Sequence, residues 1–153
     1  MNQTYPIALS QLAGQKVIVV GGGVVGERKV RGVIAAGAKV TLISPVATDQ
    51  LRTWAEDGVI EWVMRPYQHG DLAGATLAFA ATNIRAINHA VAQEANDLRI
   101  LCNVADAPDE GDFYSMGVIR HEGIVIAIGT DGSSPRRAKQ IRQQIEQFLR
   151  DQS

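Results

Sequence analysis

The sequence predicts an α/β protein: a Rossmann-like parallel sheet followed by a small β-hairpin and a helix that serve as a dimerisation region. Three observations carry this prediction. Short β-branched apolar runs alternate with amphipathic segments through residue 104, the pattern of a parallel sheet with helical crossovers. A glycine cluster, Gly21-Gly22-Gly23, follows the first run directly. Beyond residue 104 the alternation gives way to two strand-like runs and one long polar helix.

The first run, KVIVV at 16–20, is nearly continuous in apolar residues, as suits a strand buried on both faces. Residues 24–36 follow as a helix, with Val25, Val30, Val33 and Ile34 at near-helical spacing and Gly37 as its stop. KVTLI at 39–43 is the second strand, ended by Ser44-Pro45. A helix over 48–56 and a strand over 59–64 repeat the unit, and 65–74, with Pro66, Gly70 and Gly74, is irregular. TLAFAA at 76–81 is the fourth strand, 84–95 a helix, and 100–104 the fifth strand.

Residues 105–112 have a loop composition, with Pro108, Gly111 and four acidic residues. Runs 113–120 and 124–129 read as two strands joined through His121-Glu122-Gly123, an antiparallel hairpin. After a turn at 130–133, Ser134 caps a final helix and Pro135 fits its first turn. Ala138, Ile141, Ile145 and Phe148 form one stripe on that helix. These breaks divide the chain into a dinucleotide-binding part, 1–112, and a hairpin-and-helix part, 113–153.

Composition excludes several classes. The chain has 153 residues and a net charge of −1, with 15 basic and 16 acidic side chains. A nucleic-acid binder is usually more basic, and 5% aromatics is poor material for base stacking. No segment reaches the length of apolar residues that a bilayer span needs. The N-terminus lacks the regions of a signal peptide, and one cysteine, Cys102, cannot form an intrachain disulfide. The expectation is a soluble cytoplasmic protein that engages neither nucleic acid nor membrane.

Gly21, Gly23 and Gly26 spell G-x-G-x-x-G between a strand and a helix, the context in which the motif indicates dinucleotide binding. Gly21 permits the tight turn, Gly23 the approach of a pyrophosphate, and Gly26 close helix–strand packing. The helix N-terminus then favours the bound anion. The end of the second strand, Ile43-Ser44-Pro45-Val46, carries no acid for a ribose. Ser44 can donate to a ribose hydroxyl, which leaves NAD and NADP both open. Arg28 and Lys29 read as an exposed helix face. Asp106 lies just past the fifth strand, where ligands bind in open parallel sheets. It is either a base or a turn residue before Ala107-Pro108. Arg136, Arg137, Lys139 and Arg142 either meet carboxylates or form a solvated face. Thr130 and Ser134 either bind a carboxylate or cap the helix. His69, His89 and His121 form no metal-ligand spacing, and any metal role stays unassigned.

GGGVVGERKV resembles the G-G-G-x-V-A-x-R-K signature of the precorrin-2 dehydrogenase and siroheme synthase N-terminal domain family. The likeness continues through YPIAL, AGAKVTLISP, LAFAATN, CNVADAP and SSPRRAKQIRQQIE. It implies NAD as cofactor and oxidation of precorrin-2, or a related tetrapyrrole, to sirohydrochlorin, with iron insertion in some members. It implies cofactor contacts from Gly21, Gly22, Gly23, Val24 and Val25 and from Ser44, Pro45 and Val46. It implicates Asp106 in catalysis, matches Asn88 to a family asparagine and implies a homodimer; with such a carboxylate-rich substrate, the expected substrate contacts are Asn88, Thr130, Ser134, Arg136 and Arg137. The chain departs where the family often reads A-A-T-D-D: Asn83-Ile84 follows Thr82 here. The family's further helical domain is expected to be largely absent. Rival readings are an NAD-binding regulatory module and a tetrapyrrole binder without dehydrogenase activity.

Overall fold

The structure is a computed structural model and describes residues 3–152; residues 1–2 and 153, the outer limits of the expected domains, lie outside the described residues. The chain divides into two compact units, one spanning Ala8–Phe113 and the other joining residues 3–7 to residues 114–152.

The first unit is a parallel five-stranded sheet. Its strands are β1 (Lys16–Val20), β2 (Lys39–Ile43), β3 (Ile60–Val63), β4 (Leu77–Ala80) and β5 (Leu101–Val104), in the order β3-β2-β1-β4-β5. Because side chains alternate across a strand, β1 sends Val17 and Val19 to one face and Ile18 and Val20 to the other, and all four are buried. On the first face Val17, Val19, Leu42 and Phe79 pack with Val30 and Val33 of α1 (Val24–Ala35) and Leu51 of α2 (Asp49–Glu56). On the second, Ile18, Val20, Ala78 and Val104 pack with Val91 and Ala95 of α3 (Arg85–Leu98). The apolar strand runs are thus explained by double coverage.

The segment after β3 is irregular in backbone and firmly tied. Arg65 holds Asp71 through two bonds of 2.8 Å. The buried Glu94 carboxylate accepts from the Gly70 amide at 2.6 Å and from the Tyr67 hydroxyl.

Two element limits differ from the sequence expectation by more than one residue. Helix α3 runs past Ala95 to Leu98 and ends at Arg99 in the left-handed conformation. The sixth strand does not begin at Phe113: β6 is Gly117–His121. Phe113 belongs to the sheet unit instead, edge-on to Phe79 with ring centroids 5.6 Å apart, and its carbonyl accepts from the Asn103 side chain at 2.9 Å. Core packing overrides the local strand pattern there.

In the second unit β6 pairs antiparallel with β7 (Ile124–Ile128). The connection is the two-residue turn Glu122-Gly123, both with positive φ (46° and 83°), as a tight hairpin of matching twist requires. Helix α4 (Pro135–Asp151) packs along the hairpin. Ser134 caps it, its hydroxyl accepting from the Arg137 amide at 3.3 Å. No residue of α4 is buried; its apolar stripe is half-exposed and Phe148 is 61% exposed.

Candidate cofactor edge and the Asp106 cluster

The carboxyl ends of β1, β2, β4 and β5 open onto one edge of the parallel sheet, because parallel strands end on the same side. Each expected cofactor and catalytic segment begins there.

The glycine turn leaves β1. Gly21 has φ 119°, and its amide donates to the Ile43 carbonyl at 3.0 Å. A Cβ at Gly21 would sit 2.4 Å from the Ala81 carbonyl oxygen, and one at Gly22 would sit 2.1 Å from that of Val46. At Gly26 it would sit 1.9 Å from the carbonyl oxygen of Gly21. The backbone demands glycine at all three. Gly23 differs: its φ is −84° and a Cβ there meets nothing within 4 Å. Gly23 is also the N-cap of α1, with no side-chain cap, so the first helical amides are directed at the space beside it.

Val24 (69%) after β1, Val46 (67%) after β2 and Ile84 (51%) after β4 are exposed apolar residues around this edge. Pro45 is exposed with Val46. Ser44 is buried, and its hydroxyl donates to the Val46 carbonyl at 2.6 Å. That bond orders the 44–46 segment. The Thr48 hydroxyl, at the cap of α2, donates to Glu27 at 2.7 Å. Arg28 is exposed as expected, but Lys29 is half-buried with its ammonium 6.0 Å from the centre of the Phe79 ring. Burial, and secondarily Arg28, lowers the Lys29 pKa.

Asp106 follows β5, and Arg85 Nη1 donates to its Oδ1 at 2.6 Å. Partial burial raises the pKa of the Asp106 carboxyl, but the hydrogen bonds of Arg85 and Asn88 and the Arg85 charge outweigh it, so the net direction is down. Asn88 is fully buried. Its side-chain oxygen accepts from the Thr82 amide at 3.0 Å and hydroxyl at 2.7 Å, and its nitrogen donates to the Thr82 carbonyl at 3.0 Å. It has no surface to offer a substrate and instead fixes the turn after β4.

Cys102 is buried, and its thiol is pushed up to about 12, chiefly by desolvation. A cavity of about 450 Å³ lies elsewhere on this unit, between Tyr67 and His69 and the Ile87–Gln93–Asp97 side of α3. It shares no lining residue with the glycine turn or Asp106. Among the described residues no group of three His, Cys, Asp or Glu could hold a metal, and no helix is long and apolar enough to cross a membrane.

On the hairpin unit, Thr130 and Ser134 act as caps: the Thr130 hydroxyl accepts from the Ser134 amide at 3.0 Å. Arg136, Arg137 and Lys139 are exposed, and Arg142 pairs with Glu146 at 3.2 Å. Sequence reasoning missed Arg85 and Glu110. The available signal was their position, in the first turn of a helix after β4 and in the loop after β5, both at the carboxyl edge.

A parallel sheet with an uncapped helix behind a glycine turn defines a Rossmann-like dinucleotide-binding protein. Residues 8–116 match the family model described as "Putative NAD(P)-binding", and the chain belongs to that family. Its relatives bear out the resemblance read from the sequence. Siroheme synthase 1 of Aeromonas salmonicida is 35% identical over 139 residues, 91% of this chain and 30% of that protein. Siroheme synthase of Salmonella arizonae is 35% identical over the same shares. The chain thus spans about a third of the length of these curated relatives. The solved structure of SirC, precorrin-2 dehydrogenase, superposes with a TM-score of 0.84 at 28% identity, covering 95% of this chain and 71% of that one.

Proposed function

We propose that the chain carries out NAD-dependent oxidation of precorrin-2 to sirohydrochlorin, a step of siroheme biosynthesis. The observation that carries this reading is Gly23, the one glycine of the fingerprint that the fold itself does not demand. Its missing side chain leaves room at an uncapped helix N-terminus, which is where a pyrophosphate binds. The likeness to siroheme synthases and to SirC supplies the substrate.

The amides of Gly22, Gly23, Val24 and Val25 hold the pyrophosphate in this reading, with Gly21 shaping the turn. The backbone of Ser44, Pro45 and Val46 borders the adenosine, and the exposed Val24 and Val46 side chains cover it. The turn 44–48 carries no cation, Arg52 beyond it donates to the Ala47 carbonyl, and Glu27 beside Thr48 opposes a 2′-phosphate, so NAD is preferred. Bound NAD supplies the hydride acceptor. The Asp106 carboxylate takes the proton released with that hydride, and Asn88 holds the neighbouring turn in place.

On the hairpin unit, Arg136 and Arg137 stand in the first turn of α4, which contains no acidic residue. Cations at a helix N-terminus oppose the dipole, and such a local conflict fits a functional demand. We assign these arginines to substrate carboxylates, with Thr130 and Ser134 positioning them through the cap. The half-exposed stripe of Ala138, Ile141 and Ile145 and the exposed Phe148 are assigned to a homodimer. The buried lone thiol of Cys102 suits a reducing cytoplasm.

The test is to supply precorrin-2 and NAD and follow reduced cofactor and sirohydrochlorin together. Equimolar formation is expected. Tight NAD binding with neither product would leave a binding module and overturn the enzymatic reading.

A further inference from the structure

Arg85 opens α3, next to the Asn83-Ile84 pair that stands where the related family often has two acids. Its guanidinium reaches two acceptors from different segments. Nη1 donates to Asp106 Oδ1 at 2.6 Å, and Nη2 donates to Glu110 Oε2. Glu110 lies on the 3₁₀ turn Pro108–Glu110, and its Oε2 is also 3.0 Å from His89 Nδ1 of α3. Asn88, from the same helix, also lowers the pKa of Asp106.

These side chains are 34% to 53% exposed. Ion pairs so solvated add little to stability, so core packing does not explain the arrangement. A planar fork bridging two carboxylates does fix orientation. It also sits on the residue that the proposed chemistry uses.

We propose that Arg85 is a positioning residue for Asp106: it holds that carboxylate oriented at the cofactor edge, while Glu110 and His89 brace the guanidinium. The functional weight of this inference rests on the reading of Asp106 as the catalytic group. Glu110 has a second effect, because it shares the positive charge that Asp106 would otherwise receive alone. Removing Arg85 and removing Glu110 must therefore move Asp106 in opposite directions. The charges alone give that opposition; a positioning role is read from kcat/KM moving with it, which a merely structural ion pair would not do.

The experiment is a carbon-detected NMR titration of the Asp106 carboxyl in the chain without cofactor, assigned by its loss in Asp106→Asn. In Arg85→Gln the midpoint is expected to rise by about one pH unit, the lower end of the effect of a nearby opposite charge. Arg85→Lys retains most of the parental midpoint, and Glu110→Gln lowers it. The acid limb of kcat/KM for precorrin-2 oxidation moves in the same order, with NAD affinity by calorimetry unchanged. An Asp106 midpoint that stays put in Arg85→Gln, with native circular dichroism, overturns the inference. A midpoint that moves while the acid limb stays upholds the hold of Arg85 on Asp106 and removes Asp106 from the chemistry.

Discussion

In the sheet unit both faces of β1 are sealed, and Val17, Ile18, Val19, Leu42, Leu51 and Val91 have essentially no exposed surface. In the hairpin unit Ile119 is the one buried apolar residue among those described, while Val118, Ile124, Val125 and Phe148 are exposed. The two units draw on similar residue types and differ in how many layers cover them. Three layers make the sheet unit self-sufficient in burial. A two-stranded hairpin with one helix has only one covered face, and such units are marginal alone. The contrast sets the glycine turn on the unit with a sealed core and leaves exposed apolar surface on the other.

The largest expected effect falls on the sheet unit. Asp106→Ala should lower turnover of precorrin-2 by roughly 10²–10⁴-fold, the usual loss of a general base, with NAD affinity by calorimetry unchanged. Parental turnover in the folded variant would make Asp106 a turn residue. Next come two glycines three residues apart. Gly26→Ala drives a Cβ against the Gly21 carbonyl and should destabilise the sheet unit by about 1–3 kcal/mol or more in denaturant melts. Gly23→Leu should keep the native melt and lose NAD binding. Equal behaviour of the two would erase the distinction between structural and ligand-dictated glycines.

A smaller effect is expected on the hairpin unit. Ile145→Asp should convert a dimer of twice the chain mass to a monomer in light scattering, with the sheet unit's circular dichroism intact. A parental chain that is already monomeric and fully active would overturn the assignment of that surface. The smallest concerns Glu122, whose positive φ costs a side chain of its type on the order of 1 kcal/mol. Glu122→Asn, suited to that turn position, should raise the hairpin's stability by a fraction of that amount in thermal melts.

What the sequence made legible follows the same division. The strands of the sheet unit are readable because doubly buried strands are written as unbroken β-branched runs, as in KVIVV. The glycine turn is readable because its spacing between a strand and a helix is a local pattern, although Gly21 and Gly22 answer to the distant Ala81 and Val46 carbonyls. Phe113 was misleading because its partner, Phe79, lies in another strand, and no local pattern marks a residue captured by a distant ring. The Arg85–Asp106–Glu110 cluster was hidden for the same reason: its pairs lie 21 and 25 residues apart and meet only through the β4–β5 register. Ser44 was visible as a hydroxyl, but its bond to Val46 depends on the fold of the following turn.

The grouping of residues 3–7 with residues beyond 113 has a consequence for the order in which the chain becomes structured. The sheet unit is one uninterrupted stretch, so all of its strands are synthesised before the hairpin is translated. The hairpin unit is split. Thr4, which hydrogen-bonds the Tyr114 hydroxyl at 3.3 Å and the Asp131 carboxylate, finds its first partner only 110 residues later. A released chain truncated just after Phe113 should therefore contain a protease-resistant sheet and an N-terminal segment still open to cleavage. That segment closes last, although it is made first.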